Sequence, residues 1–402
     1  MEVRTSAQQN MSSSFTDERH RRRVENHEAD VVIIGAGVVG CALAHALGKQ
    51  GRSVLLLEKS MKLPDRIIGE LLQPGGVRAL EKLGLRDCLE GIDAITVRGY
   101  NVFYNGESVP IPYPNDRETG KPYEGRSFHH GPFIMKLREA AIKTPNVTVV
   151  ETTVTQLVKS TNGPEILGVL SSTDGKPDYY FAPLTVVADG YASKFRKQHH
   201  ANQPQVRSKF FGLELIDATL PAPGFGHVLL SDKPPVLLYQ IGQHETRILC
   251  DIPENLPSAS VKAGGIKNHL RKVVLPSLPD SVQKPFEDAL DRGQLRSMPN
   301  SFLPAATNRT PGLIFVGDSL NMRHPLTGGG MTCAFNDVLV ASELLSPQNV
   351  PQFEDTDKVL QQMQKFHWAR KEKTSVINIL AMALYSLFAA DSEFWSFCAR
   401  IS

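Results

Sequence analysis

The sequence predicts an α/β protein: a Rossmann-like dinucleotide-binding domain, an α+β lobe interleaved with it, and a C-terminal helical segment. Three observations carry that expectation. A glycine fingerprint sits between an apolar strand and a helix at the start of the globular sequence. Two turns that pair aspartate with glycine close apolar strands much later. Between them lie strand-like runs punctuated by proline and glycine, with few helical patterns.

Taken in order, residues 1–29 are rich in Ser, Gln, Arg and Glu without apolar periodicity and read as a disordered tail. Acids balance its run of Arg19, Arg21, Arg22 and Arg23, so it reads as solvated, with a membrane-surface contact as the alternative. Val31–Ile34 then forms a buried strand, Val38–Lys49 a helix, and Ser53–Leu57 a second strand closed by Glu58. Gly35 permits the tight turn, Gly37 lets a pyrophosphate approach the backbone, and Gly40 lets helix and strand pack closely. The helix start favours an anion, and Glu58 is placed to accept hydrogen bonds from a ribose, its charge disfavouring a 2′-phosphate. A glycine turn without ligand is the alternative.

Further strands are expected at Val97–Phe103, Val147–Val150, Thr185–Ala188, Phe210–Leu215, Val236–Ile241 and Arg247–Cys250, and Gly312–Val316 returns to the first domain. Asp189-Gly190 follows one apolar strand and Gly317-Asp318 another, where an aspartate can hold a ribityl hydroxyl. Gly328, Gly329, Gly330 and Met331 open a helix whose amide groups face an anion such as reduced flavin.

Composition narrows the class. The 402 residues carry a net charge of +2, which gives no broad basic footprint, so no nucleic-acid partner is expected. The five scattered cysteines suggest neither a disulfide framework nor a zinc site, and no metal site is expected. No apolar run reaches the ~20 residues of a membrane span, and the polar start lacks the core of a signal peptide.

The three turns together resemble the flavin monooxygenases that share the aromatic-hydroxylase fold, which implies FAD as cofactor. Within that group Pro64–Gly76, Arg98-Gly99-Tyr100 and His324–Met331 are similar to the squalene epoxidase family, the likeness running from about Asp30 to Ala390. The resemblance implies insertion of one oxygen atom of O2 into squalene, giving 2,3-oxidosqualene, in sterol or triterpenoid biosynthesis. NADPH would supply electrons through a separate NADPH–cytochrome P450 reductase; no second glycine fingerprint is present for a resident nicotinamide. It places the protein on the cytoplasmic face of the endoplasmic reticulum membrane, against its lipid surface.

By the same resemblance Glu58 meets the ribose, Arg66 and Arg138 the flavin or pyrophosphate, and Asp189, Asp318, Gly328, Gly329, Gly330 and Met331 the FAD. Tyr100 and Gln73 are the catalytic candidates as pocket-shaping groups near the flavin; the alternative is a hydrogen bond that merely satisfies two buried polar groups. His324 reads as a structural residue of the flavin loop. Phe210, Phe211, Leu213, Leu237, Tyr239, Phe302, Leu303, Pro304, Leu326 and Met331 are candidates for an apolar tunnel, against ordinary core packing. Rival readings are another hydroxylase or an isoprenoid reductase of the fold, and a non-catalytic paralogue that binds FAD and lipid.

The expected segments are FAD-binding at 30–100, 131–200 and 306–346, substrate-domain at 101–130 and 201–305, and helical at 347–402. The basic, aromatic stretch Lys365–Lys373 precedes an uncharged one, Thr374–Ala390, which suits either an interfacial helix or a buried helix capping the lobe. By the resemblance, family members carry an N-terminal hydrophobic segment and run beyond the point matching Ser402, and the final FWSFCARIS departs from their pattern, as a frameshift, an alternative splice or a truncated paralogue would.

Overall fold

The computed structural model describes residues 27–388 apart from 105, 106 and 232. The expectations for residues 1–26 and for FWSFCARIS lie outside them. The tail ends sooner than expected, because Glu28 already bridges Phe181 and the Ala29 amide donates to the Phe181 carbonyl at 3.1 Å.

The first unit runs β1 (Val31–Ile34), α1 (Val38–Lys49), β2 (Val54–Glu58), β3 (Leu71–Leu72) and α2 (Pro74–Leu83). Next come β4 (Ile95–Val97), β5 (Gly99–Tyr104), β6 (Glu107–Pro112), β7 (Gly125–Ser127) and α3 (His130–Ile142). β8 (Val147–Glu151), β9 (Thr153–Lys159), β10 (Ile166–Thr173), β11 (Lys176–Phe181) and β12 (Leu184–Val187) follow. The lobe holds β13 (Gln205–Ile216), β14 (Gly226–Leu230), β15 (Val236–Gln240), β16 (Glu245–Pro253), α4 (Asp280–Arg292) and β17 (Arg296–Phe302). The chain closes with β18 (Leu313–Phe315), α5 (Gly330–Leu344) and α6 (Thr356–Phe388).

A five-stranded parallel sheet, ordered β18-β12-β1-β2-β8, forms the dinucleotide-binding half. β1 and β12 are buried at every residue, as strands covered on both faces must be. A seven-stranded sheet, ordered β17-β13-β16-β15-β14-β5-β6, forms the lobe. Gly99 and Tyr100 already belong to it, ahead of the expected boundary, whereas β7 pairs with β3 and β4 in a small separate sheet.

Sequence reading overlooked α3, whose Gly131-Pro132 looks like loop punctuation. Proline in the first turn of a helix forfeits no intrahelical bond, and Phe133, Ile134, Leu137 and Ala141 bury one face. The β9–β11 sheet was also unforeseen; its hairpin turns at Asp174-Gly175, both with positive φ (51° and 80°), the two-residue pattern that aspartate-glycine favours.

Candidate functional site

A cavity of about 490 Å³ opens where the C-terminal ends of β1, β2, β12 and β18 face the lobe's sheet. Its wall includes Gly35, Gly37, Glu58, Arg66, Tyr100, Arg138, Asp189, Asp318, Gly328, Gly330 and Met331. Gln73, Gly40 and Gly329 lie behind that wall rather than on it.

The glycine fingerprint divides by role. Gly35 turns at φ +102°, and a Cβ there would lie 2.7 Å from the Ala188 carbonyl oxygen. A Cβ on Gly40 would land on the Gly35 carbonyl, so Gly40 keeps α1 against the turn. Gly40→Ala is therefore expected to destabilise the fold by at least ~1–3 kcal/mol in chemical denaturation. Gly37 differs: a Cβ there meets nothing within 4 Å and points into open space.

Glu58 Oε2 accepts from the Ala36 amide at 2.8 Å and Oε1 from the Ser60 amide at 3.2 Å. Arg138, carried by α3, donates from Nε to the Ala36 carbonyl (3.0 Å) and from Nη1 to the Lys62 carbonyl (3.0 Å), with Nη2 3.7 Å from Glu58 Oε2. It stiffens the fingerprint turn while lining the cavity. Arg66 lies over the Tyr191 ring at 5.4 Å and places a cation on the wall.

The residues present fit a flavin dinucleotide. Asp189 Oδ1 is buried without a hydrogen-bond partner, and burial pushes its carboxyl above the usual range. An acceptor stranded on a cavity wall costs ~1–3 kcal/mol unless a hydroxyl reaches it, as a ribityl chain can. Arg196, not singled out by sequence, ties the two acidic turns: its guanidinium donates to the carbonyls of Gly190 and Asp318, both at 3.1 Å, and of Ser319 at 3.0 Å. α5 begins at Gly330, beside the cavity, with the free amides of its first turn available to an anion. Gly329 serves packing instead, since a Cβ there would come within 2.7 Å of Ile377 Cγ2 on α6.

Tyr100 and Gln73 are hydrogen-bonded, and the bond extends beyond the pair. Gln73 Nε2 donates to Tyr100 Oη and, at 3.0 Å, to the Thr327 carbonyl; Tyr100 Oη donates to the same carbonyl at 3.1 Å. Tyr113, missed in the sequence, donates to Gln73 Oε1. Burial pushes the Tyr100 hydroxyl up to about 12, so it remains a donor at neutral pH. The trio pins the loop just before Gly328, whose own Cβ would lie 3.0 Å from Gln73 Nε2. Gln73→Leu, which strands the Tyr113 phenol and leaves the Thr327 carbonyl held by Tyr100 alone, is expected to weaken FAD binding about tenfold in a fluorescence titration.

The opposite wall is apolar, with Leu237, Tyr239, Leu249, Met298 and Leu326 on it. Phe211 and Leu213 were misassigned: both pack on the sheet's other face, against the core under α4. Phe210 lies behind the wall, and Phe302, Leu303 and Pro304 do not line it. Below it, Arg247 makes a two-pronged ion pair with Glu70 at 2.8 and 3.0 Å.

α6 clasps the whole assembly. Arg370 pairs with Asp337 of α5 at 2.9 Å with both side chains 2% exposed, and Arg323 Nε donates to Asn378 Oδ1 at 2.7 Å. These contacts span 33 and 55 positions and leave no trace in local sequence.

A parallel Rossmann-like sheet, three glycine-bearing turns and a stranded aspartate facing one cavity define a FAD-dependent oxidoreductase of the aromatic-hydroxylase fold. The sequence matches the family described as squalene epoxidase over residues 181–397 and the FAD-dependent oxidoreductase family over residues 30–64. It is 67% identical over 383 residues to squalene epoxidase erg1 of Aspergillus fumigatus, covering 95% of this chain and 80% of that protein. It is 48% identical over 370 residues to squalene epoxidase erg1 of Schizosaccharomyces pombe, covering 91% and 80%. The chain belongs to the squalene epoxidase family. Among solved structures, PqsL of Pseudomonas aeruginosa aligns with a TM-score of 0.74 at 20% identity, covering 90% of this chain and 97% of that one. The p-nitrophenol 4-monooxygenase PnpA of Pseudomonas putida aligns at 0.72 and 17% identity, covering 90% and 89%; both likenesses concern the fold.

Proposed function

We propose that this chain epoxidises squalene to 2,3-oxidosqualene with O2, taking NADPH-derived electrons through a separate reductase while resting on the cytoplasmic face of the endoplasmic reticulum membrane. The observation that carries the reading is the cavity's two unlike walls, one built for a flavin dinucleotide and one for an apolar chain. Squalene has no polar handle, so its affinity comes from buried apolar area at ~25 cal/mol per Å².

FAD, when bound, would supply the activation of O2, from which the transferred oxygen atom comes. The chain supplies everything around it. Asp189 and Glu58 orient the dinucleotide, and the first turn of α5 faces its negative charge. Leu237, Leu249 and Leu326 exclude water, which would divert the oxygen chemistry. Arg247 pairs with the buried Glu70 at 2.8 Å, and burial still leaves that carboxyl above its usual range.

Support for an external reductase is that FAD takes the one glycine fingerprint among the described residues. Support for a lipid surface comes from α6. Its inward face buries Met363, Phe366, Arg370, Thr374, Ala381 and Tyr385, whereas Val376 (68%), Ile379 (67%) and Leu380 (49%) are exposed on the other side. Trp368, 65% exposed, lies about two to three turns earlier on the helix with the Lys371 ammonium 4.8 Å over its ring, an aromatic and basic flank suited to headgroups. Among the described residues no helix is long and apolar enough to cross a membrane.

The test loads the chain with FAD and supplies squalene, O2 and NADPH with or without a P450 reductase. Oxidosqualene formed only with the reductase is expected; turnover without it would overturn that part. The doubly substituted Ile379→Glu/Leu380→Glu protein is expected to lose most of its flotation with phosphatidylcholine–phosphatidylserine vesicles, and unchanged flotation would remove the membrane face.

A further inference from the structure

His324 sits where three parts of the molecule meet. It precedes the turn Pro325–Thr327 that leads into Gly328 and α5, and its Nδ1 accepts from the Leu326 amide at 3.2 Å, capping that turn. Its ring stacks on Tyr385 of α6 with centroids 4.0 Å apart and meets Phe210 of β13 edge-on at 5.5 Å. Its Nε2 lies 3.9 Å from Asp251 Oδ1 on β16, with the histidine side chain 3% exposed and the aspartate side chain 0%.

The Nδ1 contact decides the tautomer. A ring nitrogen that accepts a backbone N–H carries no proton, so in the neutral ring the proton is on Nε2. That Nε2 is buried without a hydrogen-bond partner, and so is Asp251 Oδ2. The other oxygen of Asp251 is held in place by Ser208 Oγ at 2.5 Å and Asn300 Nδ2 at 2.8 Å. A donor lacking an acceptor therefore lies 3.9 Å from the nearer oxygen of a held carboxylate whose other oxygen is free, so the two act on each other through charge rather than a formed hydrogen bond. The same carboxylate disfavours the alternative tautomer, which would place a proton against the Leu326 amide and a lone pair against Asp251.

We propose that Asp251 is a positioning residue for the flavin-facing loop: it holds His324 as the Nε2–H tautomer, so that Nδ1 caps Leu326 and fixes Pro325–Gly330 against the cofactor. It touches neither FAD nor substrate, and acts from the lobe's sheet through one histidine. The inference needs FAD in the cavity but no particular substrate, so it stands or falls separately from squalene epoxidation.

The test titrates apoprotein with FAD by flavin fluorescence and reads the tautomer from ¹⁵N-histidine NMR, for Asp251→Asn, His324→Ala, His324→Asn and Asp251→Asn/His324→Asn. Asp251→Asn is nearly isosteric but offers His324 an amide, and is expected to weaken FAD about tenfold, as an unmet buried group does, with the histidine signal moving to Nδ1–H. His324→Asn, whose side-chain oxygen can cap Leu326 as asparagine does at helix starts, is expected to recover part of the affinity that His324→Ala loses. In that background Asp251→Asn adds nothing further, because its route through the imidazole is gone. Wild-type FAD affinity with an unchanged Nε2–H signal in Asp251→Asn would overturn the proposal. So would an undiminished Asp251→Asn effect in the His324→Asn background, which marks a merely structural aspartate.

Discussion

Gly37→Asp is expected to fold like the wild type and to lose FAD. Most substitutions in a glycine turn fail ambiguously because they damage the fold as well. Here the geometry separates the two effects: a Cβ at residue 37 meets nothing within 4 Å, and the backbone, at φ −91°, suits any residue. Residue 37 is also the N-cap of α1, where aspartate is among the best residues, so the helix loses nothing. Yet the new carboxylate occupies the space that a pyrophosphate needs and repels it. Affinity for FAD is expected to fall on the order of a hundredfold, about 2.7 kcal/mol, with an unchanged denaturation midpoint for the apoprotein. Retained flavin absorbance in the purified variant would show that the dinucleotide lies elsewhere.

Arg370→Met is expected to have the largest effect on stability. Asp337 and Arg370 are each only 2% exposed and face each other at 2.9 Å, so removing the guanidinium leaves a carboxylate uncompensated in the interior. The cost is about 3–5 kcal/mol by denaturant titration, and Arg370→Met/Asp337→Leu, which removes both charges, should regain most of it. The pair joins α6 to α5, the helix whose first turn faces the flavin. Thermal release of FAD should therefore occur at lower temperature in Arg370→Met than in the double variant.

What could be read from sequence follows from how each residue acts. Gly35, Gly37, Gly40, Asp189 and Asp318 work through the backbone turns they sit in, and a turn is written in a few adjacent residues. All but Gly40 line the cavity, and Gly40 explains itself by its contact with the Gly35 carbonyl. Arg138 was chosen by likeness alone, and the helix that presents it was hidden by Gly131-Pro132. Tyr113 lies on no turn and reaches Gln73 across 40 positions, so nothing near it signals its role. The tunnel candidates erred for a geometric reason: Phe210 and Phe211 are neighbours on one strand and must point to opposite faces, so both could not line the cavity. The α6 clasp was invisible because Arg370 looks like part of a solvated basic run until Asp337 is placed beside it. The basic flank and the uncharged stretch after it form one 33-residue helix with a buried and an exposed side, so it has features of both alternatives, the interfacial helix and the buried one.

The central claim is that the stranded aspartate wall holds FAD and the leucine wall holds squalene, close enough for one oxygen atom to pass between them. Isotope transfer tests it most directly. FAD-loaded protein, squalene, NADPH and a P450 reductase are incubated under ¹⁸O2 in ordinary water, and the lipid product is analysed by mass spectrometry. One ¹⁸O atom in 2,3-oxidosqualene is the expected result, with none when Gly37→Asp replaces the wild type. Unlabelled product, or NADPH consumption with peroxide and no oxygenated lipid, would contradict it.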